Sequence, residues 1–159
     1  MSVSLLYESK VRAPLAKVWE FLIDSENYTT LNPGCIENGP ATISPATDGI
    51  PEKREWTAVE ATTVLGGLYT HTVTLAITAT LEAPEQLVVH DIKTSAGVVV
   101  HIEYAIEEVQ QQEGGGAQTL LKDTITITAP WYIRIMAAST VRKIQAKKAK
   151  LIQDALQTK

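Results

Sequence analysis

Glu60, His71, Tyr104 and Asp123 are the residues of this chain best placed to move protons, because each falls on a strand face that is otherwise apolar. A carboxyl enclosed by hydrocarbon has its pKa raised by lost hydration, which suits it to give or take a proton near neutrality. A histidine or tyrosine beside it supplies the hydrogen bond that a developing enolate needs. The alternative is that these groups are hydrogen-bonded and structural, as buried polar groups usually are.

Their grouping follows from the hairpins that carry them. Gly66-Gly67 is a two-residue turn signal between strand-like runs over 55–65 and 68–81. Paired residues in a hairpin share a face, so this turn sets Val64 against Tyr69, Thr62 against His71 and Glu60 against Val73. It likewise sets Ala58 against Leu75 and Trp56 against Ile77. Tyr69, His71, Val73, Leu75 and Ile77 form an apolar face, with Thr70, Thr72, Thr74 and Thr78 on the other, which turns Trp56, Glu60 and Thr62 inward too. Glu60 and His71 then lie diagonally, ~7–8 Å apart at the backbone.

A second pair comes from the last two strands. Val98, Val100, Ile102, Tyr104 and Ile106 form one apolar face, and Leu121, Asp123, Ile125 and Ile127 another, so Tyr104 falls opposite or next to Asp123. On the preceding strand the inner set is either Val88-His90-Ile92 or Leu87-Val89-Asp91, and each brings one ionisable group inward. His71, His90 and His101 are too widely spaced for a simple metal motif, and no metal or other cofactor is expected. The single cysteine, Cys35, excludes an internal disulfide and a cysteine zinc cage, and it has no neighbouring base in sequence to make it a nucleophile.

The elements that must position these groups are legible in outline. Alternation over Val3, Leu5, Tyr7, Ser9 and Val11 predicts a first strand. Pro14 can open a helix, since a first helical residue needs no amide donor, and Leu15, Val18, Trp19 and Leu22 give it one apolar face. Ser25 can cap a second short helix that Pro33-Gly34 ends. Residues 34–43 read as an edge strand and 44–53 as a loop, and the runs 86–93, 98–109 and 117–128 as further strands. Pro130 opens a long terminal helix in which Ala137, Val141, Ile144, Leu151 or Ile152, and Ala155 recur at helical spacing. Trp19 is expected in the core, and Trp131 in the core or a cavity wall.

With 159 residues, 45% of them hydrophobic and 20% charged, the chain reads as a single domain over 1–159. No apolar run approaches a membrane span, and the first residues lack a secretory pattern, so a cytoplasmic protein without stable membrane insertion is expected. The net charge of −4 divides unevenly: residues 1–129 hold 7 Lys/Arg against 17 Asp/Glu, and 130–159 hold 7 against Asp154 alone. The terminal helix is therefore basic. It is expected to dock on an acidic sheet with its outer face solvated, the other reading being contact with an anionic membrane or acidic partner. A net acidic domain without an aromatic and basic sheet face is not expected to bind nucleic acid.

The order β-α-α-β6-α, with Val11-Arg12-Ala13-Pro14, Val18-Trp19 and Asp24, resembles the START-like helix-grip superfamily of SRPBCC type, the polyketide cyclase/dehydrase and lipid-transfer group. The resemblance implies an α+β fold in which a seven-stranded antiparallel sheet wraps the terminal helix around an internal cavity. It implies a partner that is a small hydrophobic molecule, polyketide- or lipid-like, held as by a carrier or binding protein. The alternative is a cofactor-free polyketide cyclase, dehydratase or related lyase or isomerase, using Glu60, His71, Tyr104 and Asp123. An interaction module with an exposed apolar patch is a third reading. Trp56, Thr62, Tyr69, Val73, Leu75, Ile102 and Ile125 are expected to wall the cavity, with Ile133, Ala137 and Val141 from the helix. The oligomeric state and the ligand stay open.

Overall fold

The computed structural model describes residues 2–64, 67–109 and 115–157. The turn residues Leu65 and Gly66, and positions 110–114 of the polar connection, lie outside them.

Alternating side chains make β1 (Ser2–Val11), whose Val3, Leu5 and Tyr7 are half-buried while Leu6, Glu8 and Lys10 are exposed. The chain then turns into α1 (Leu15–Ile23), which buries Val18, Trp19, Phe21 and Leu22. Pro14 stands one residue earlier than a first helical position: it caps α1, its carbonyl accepting from the amides of Lys17 and Val18. At the other end, the Arg54 guanidinium donates to the Ile23 carbonyl at 2.8 Å, a cation placed where the helix leaves carbonyls unpaired. A 3-10 turn (Ser25–Asn27) leads into α2 (Tyr28–Leu31). Its cap is Asp24 rather than Ser25, the Asp24 carboxylate accepting from the Glu26 amide at 2.9 Å.

One antiparallel sheet follows, of eight strands rather than seven. Besides β1 they are β2 (Cys35–Asn38), β3 (Thr42–Ser44), β4 (Glu52–Val64), β5 (Tyr69–Ala83), β6 (Leu87–Thr94), β7 (Val99–Val109) and β8 (Gln118–Thr128), in the order β1-β8-β7-β6-β5-β4-β2, with β3 paired to β4 off this path. The extra strand arises because the expected edge strand is broken at Gly39-Pro40. Proline has no amide to give the ladder, so both halves pair with β4 separately, as β2 and β3.

The hairpin register is the one the glycine turn implies: Trp56 opposes Ile77, Glu60 opposes Val73, Thr62 opposes His71 and Val64 opposes Tyr69. Tyr104 opposes Asp123, and Ile102 opposes Ile125. On β6 the inner set is Val88, His90 and Ile92, all buried. Asp91 points out, where it holds the His101 ring at 2.7 Å.

The terminal helix, α3 (Trp131–Gln157), has 27 residues and spans about 40 Å across the sheet's concave side. Its C-terminal part is stitched to the end of β1: the Arg12 amide donates to Gln153 Oε1 at 2.6 Å, and Gln153 Nε2 donates to the Arg12 carbonyl at 3.3 Å. Ile152 is fully buried there. Arg142, Lys143, Lys147 and Lys150 are exposed, as a solvated outer face requires, but Lys148 is buried. Trp131 is neither core nor wall; it is 80% exposed, beside exposed Tyr132 and Ile135. Among the described residues, no helix is long and apolar enough to cross a membrane.

Candidate functional site: a cavity between sheet and terminal helix

Strands β4 to β7 curve under α3 without filling the space beneath it. A cavity of about 330 Å³ remains, within the range of small-molecule sites. Val73, Leu75, Ile92, Val100 and Ile102 form its floor, and Ile133, Met136, Ala137, Val141 and Ile144 its roof. Alternation explains the floor, since every second residue of a strand faces one side. Helical spacing explains the roof. Polar side chains gather mainly in two clusters.

The first cluster sits where α2 meets β4. Asn32 Nδ2 donates to Glu60 Oε2 at 2.9 Å, and the Thr62 hydroxyl lies 3.3 Å from Glu60 Oε1. Asn32 Oδ1 in turn accepts from the Gly34 amide at 3.2 Å. A side chain at Gly34 would press on the Glu60 side chain, its Cβ meeting Glu60 Cγ at 3.2 Å. Tyr28 lines the same end, its phenol pushed up by burial and further by Glu60, with Asn32 opposing. His71 also lines the cavity, but its ring stacks on Tyr69 with centroids 6.4 Å apart. Glu60 and His71 are thus diagonal neighbours, yet the Glu60 oxygens engage Asn32 and Thr62.

The second cluster lies between β7, β8 and α3. Lys148 Nζ donates to Asp123 Oδ2 at 2.6 Å and sits 3.9 Å above the centre of the Tyr104 ring. Both charged side chains are only 3% exposed. Burial pushes the Asp123 carboxyl up and the Lys148 ammonium down, and each charge partly offsets the other's shift. The Tyr104 phenol is held far above its usual range, by burial first and then by Asp123 and Tyr28. Behind it, the His90 ring makes edge contacts with Tyr104 and Trp56, centroids 4.9 and 5.7 Å away. The Leu22 carbonyl lies toward that ring, but among the described residues neither ring nitrogen completes a hydrogen bond. Burial, with Lys148 adding to it, lowers the His90 pKa to about 3, so the imidazole is neutral.

The candidate residues therefore separate. Glu60, His71, Thr62, Val73, Leu75, Ile102, Tyr104, Ile133, Ala137 and Val141 line the cavity. Trp56, Tyr69 and Ile125, also expected on its wall, do not. Trp56 packs between Tyr28 and His90, and Ile125 is wholly buried in the core. Tyr69 is 57% exposed near the hairpin tip, where its face of the sheet is left open. Asp123 is reached from the cavity through Lys148 and does not itself line it. Lys148 is the residue that sequence reasoning missed. The signal was its place on the apolar stripe, seven residues after Val141, four after Ile144 and four before Ile152.

Cys35 is half-buried, its thiol directed at the Glu37 carbonyl at 3.0 Å and its pKa raised by burial, an environment for an inert thiol. Among the described residues, no three His, Cys, Asp or Glu side chains converge as a metal site requires.

No protein-family model matches this sequence, and no curated protein matches it. Solved structures do resemble it. A START superfamily protein from Mycobacterium smegmatis has a TM-score of 0.63 at 14% identity, the match covering 98% of this chain and 97% of that one. The Zhui aromatase/cyclase from a Streptomyces species has a TM-score of 0.63 at 14% identity, covering 99% and 94%. Norcoclaurine synthase from Thalictrum flavum has a TM-score of 0.57 at 14% identity, covering 98% and 94%.

Proposed function

We propose that this chain, whose fold is the START-like helix grip, holds one small and largely apolar molecule between its sheet and α3, as a binding or carrier protein. The observation that carries this reading is the cavity itself: about 330 Å³ with an apolar floor and roof. Leaving such a space empty is costly, since the lining side chains forgo packing contacts that a close-packed interior would supply. A hydrophobic occupant restores those contacts and adds the gain of its own desolvation. Polyketide- and lipid-like metabolites are the ligand class of the right chemistry.

Native mass spectrometry of the protein purified from its own host tests the reading directly. The expected result is a co-purifying small molecule retained at one per chain. An apolar fluorescent probe should then bind the emptied protein saturably with the same stoichiometry. Failure to retain or bind any apolar compound would remove this function.

A second reading is supported by a specific feature, the Asp123–Lys148 pair set against Tyr104 at the cavity wall. In a cofactor-free cyclase or dehydratase, the cavity would fold a flexible substrate so that its reacting carbons meet, which removes orientational entropy from the barrier. Lys148 and Tyr104 would polarise a carbonyl, and Glu60 would take a proton. The aromatase/cyclase among the structural neighbours supports this reading at the level of fold only. Asp123→Asn and Glu60→Gln preserve size while removing an acid. Loss of turnover by ~10²-fold with binding intact would mark Glu60 as a catalytic carboxyl, or Asp123 as the group that positions Lys148. If neither change alters turnover of an identified substrate, both carboxyls are structural and this assignment of catalytic groups fails.

A further inference from the structure

We propose that Lys148 selects the occupant of the cavity by donating to an uncharged carbonyl oxygen, so that ketones, aldehydes or esters on an apolar frame are preferred over hydrocarbons and over carboxylates of the same shape. The inference rests on the cavity reading above and adds the chemical class of the ligand.

An ammonium carries three N–H donors. In Lys148 one is taken by Asp123 Oδ2 at 2.6 Å, and the Tyr104 ring covers one face of the group at 3.9 Å. The hydrogen bonds among the described residues give Lys148 no second acceptor, while its side chain forms part of the cavity wall. A ligand oxygen is the acceptor this geometry leaves room for. Such a bond would be charge-assisted and formed in a dry site, where it is stronger than its counterpart in water.

The charge balance decides between acceptors. Asp123 already neutralises Lys148, and the buried neighbour His90 is uncharged, so the cluster has no net positive charge to offer. A carboxylate brought to Lys148 would place two anions on one cation in a medium of low dielectric. It would also carry its full desolvation cost. A neutral carbonyl accepts the same hydrogen bond without that penalty. The Glu60 cluster at the other wall adds a further negative charge and does nothing to welcome an acid.

Three aromatic probes of nearly equal shape test the proposal: 2-acetylnaphthalene, 2-ethylnaphthalene and 2-naphthoate, titrated into the folded protein at neutral pH. The ketone should bind at least ~10-fold more tightly than either other probe, the lower end of what a hydrogen bond to a charged group supplies. Its carbonyl stretch should shift to lower frequency on binding. Lys148→Met alone leaves Asp123 buried without a partner and can fail to fold, so the decisive variant is Asp123→Leu with Lys148→Met. That double variant should lose the preference for the ketone, binding 2-acetylnaphthalene no more tightly than 2-ethylnaphthalene. Equal affinities in the wild type, or a ketone preference that survives in the double variant, would overturn the inference while leaving the cavity reading intact. If none of the three probes binds, the cavity reading fails and this inference with it.

Discussion

Lys148 Nζ lies 2.6 Å from Asp123 Oδ2 with both side chains 3% exposed, so the most buried ion pair among the described residues joins the terminal helix to the central sheet. Removing one member strands a charge in hydrocarbon, which costs about 3–5 kcal/mol, whereas replacing both by apolar residues of similar volume is often neutral. Lys148→Met and Asp123→Leu should each destabilise the fold on that scale. The double variant should lie closer to wild type than either single one. Urea unfolding of the four proteins gives the coupling energy, and additive single effects would contradict a buried ionic contact.

His90 predicts the acid behaviour of the fold. Above about pH 6.5 its ring is neutral in the folded and the unfolded chain and contributes no pH dependence. As pH falls from 6.5 toward 3, the unfolded chain takes up a proton that the buried ring refuses, so stability must drop, by up to about 1.4 kcal/mol per pH unit. His90→Phe removes that proton and should flatten the decline between pH 6.5 and 5, above the range where ordinary carboxylates titrate. Denaturant unfolding at pH 7, 6 and 5 checks it. Parallel slopes for the two proteins would show that His90 is not the group responsible.

Ala137 on the roof of the cavity offers a test by filling. Ala137→Phe places a ring where the ligand would lie, so affinity for an apolar probe should fall by at least ~10-fold, as it would for any lost set of core-like contacts. Thermal stability should hold or rise, because the ring occupies existing space instead of displacing neighbours. A variant that unfolds early while binding the probe normally would place the ligand elsewhere.

The three tryptophans differ enough to be told apart in solution. Trp19 and Trp56 are 8% and 5% exposed, and Trp131 is 80% exposed. Acrylamide should quench one component of the emission readily and leave the rest protected. Trp131→Phe should remove the quenchable component and the red side of the spectrum. Uniform quenching of all the emission would contradict the burial of Trp56 against Tyr28 and His90.

Much of this arrangement could be read from the chain, for local reasons. Two glycines between alternating runs fix a hairpin register by counting, which is why Thr62 and His71 or Glu60 and Val73 could be paired without a structure. Alternation gives the direction of a side chain, but not how deep it lies or what covers it. Trp56 and Ile125 point inward as expected and end in packed core, while Tyr69 points the same way and ends near open solvent. On β6 the apolar residues sit on both faces, and Val88 and Val89 are both buried, so periodicity could not choose His90 over Asp91. Packing on Trp56 and Tyr104 made that choice. Lys148 was hidden differently: by charge it looks like the solvated lysines around it, and only its helical position, in line with Val141, Ile144 and Ile152, puts it on the apolar stripe. Asp123, a lone carboxyl on an apolar strand, was the complementary clue that a cation had to meet it.

The two halves of α3 are fastened unequally. The last turns are held by Ile152, by the Lys148 ion pair and by Gln153 bonded to Arg12. Much of the inner side of the first turns, from Ile133 through Ile144, faces the cavity instead of packed side chains. Lifting the N-terminal turns therefore sacrifices few contacts, whereas lifting the C-terminal turns breaks a buried salt bridge. If the cavity holds a molecule as proposed, the N-terminal turns of α3 are the end whose displacement would open it at the smaller cost.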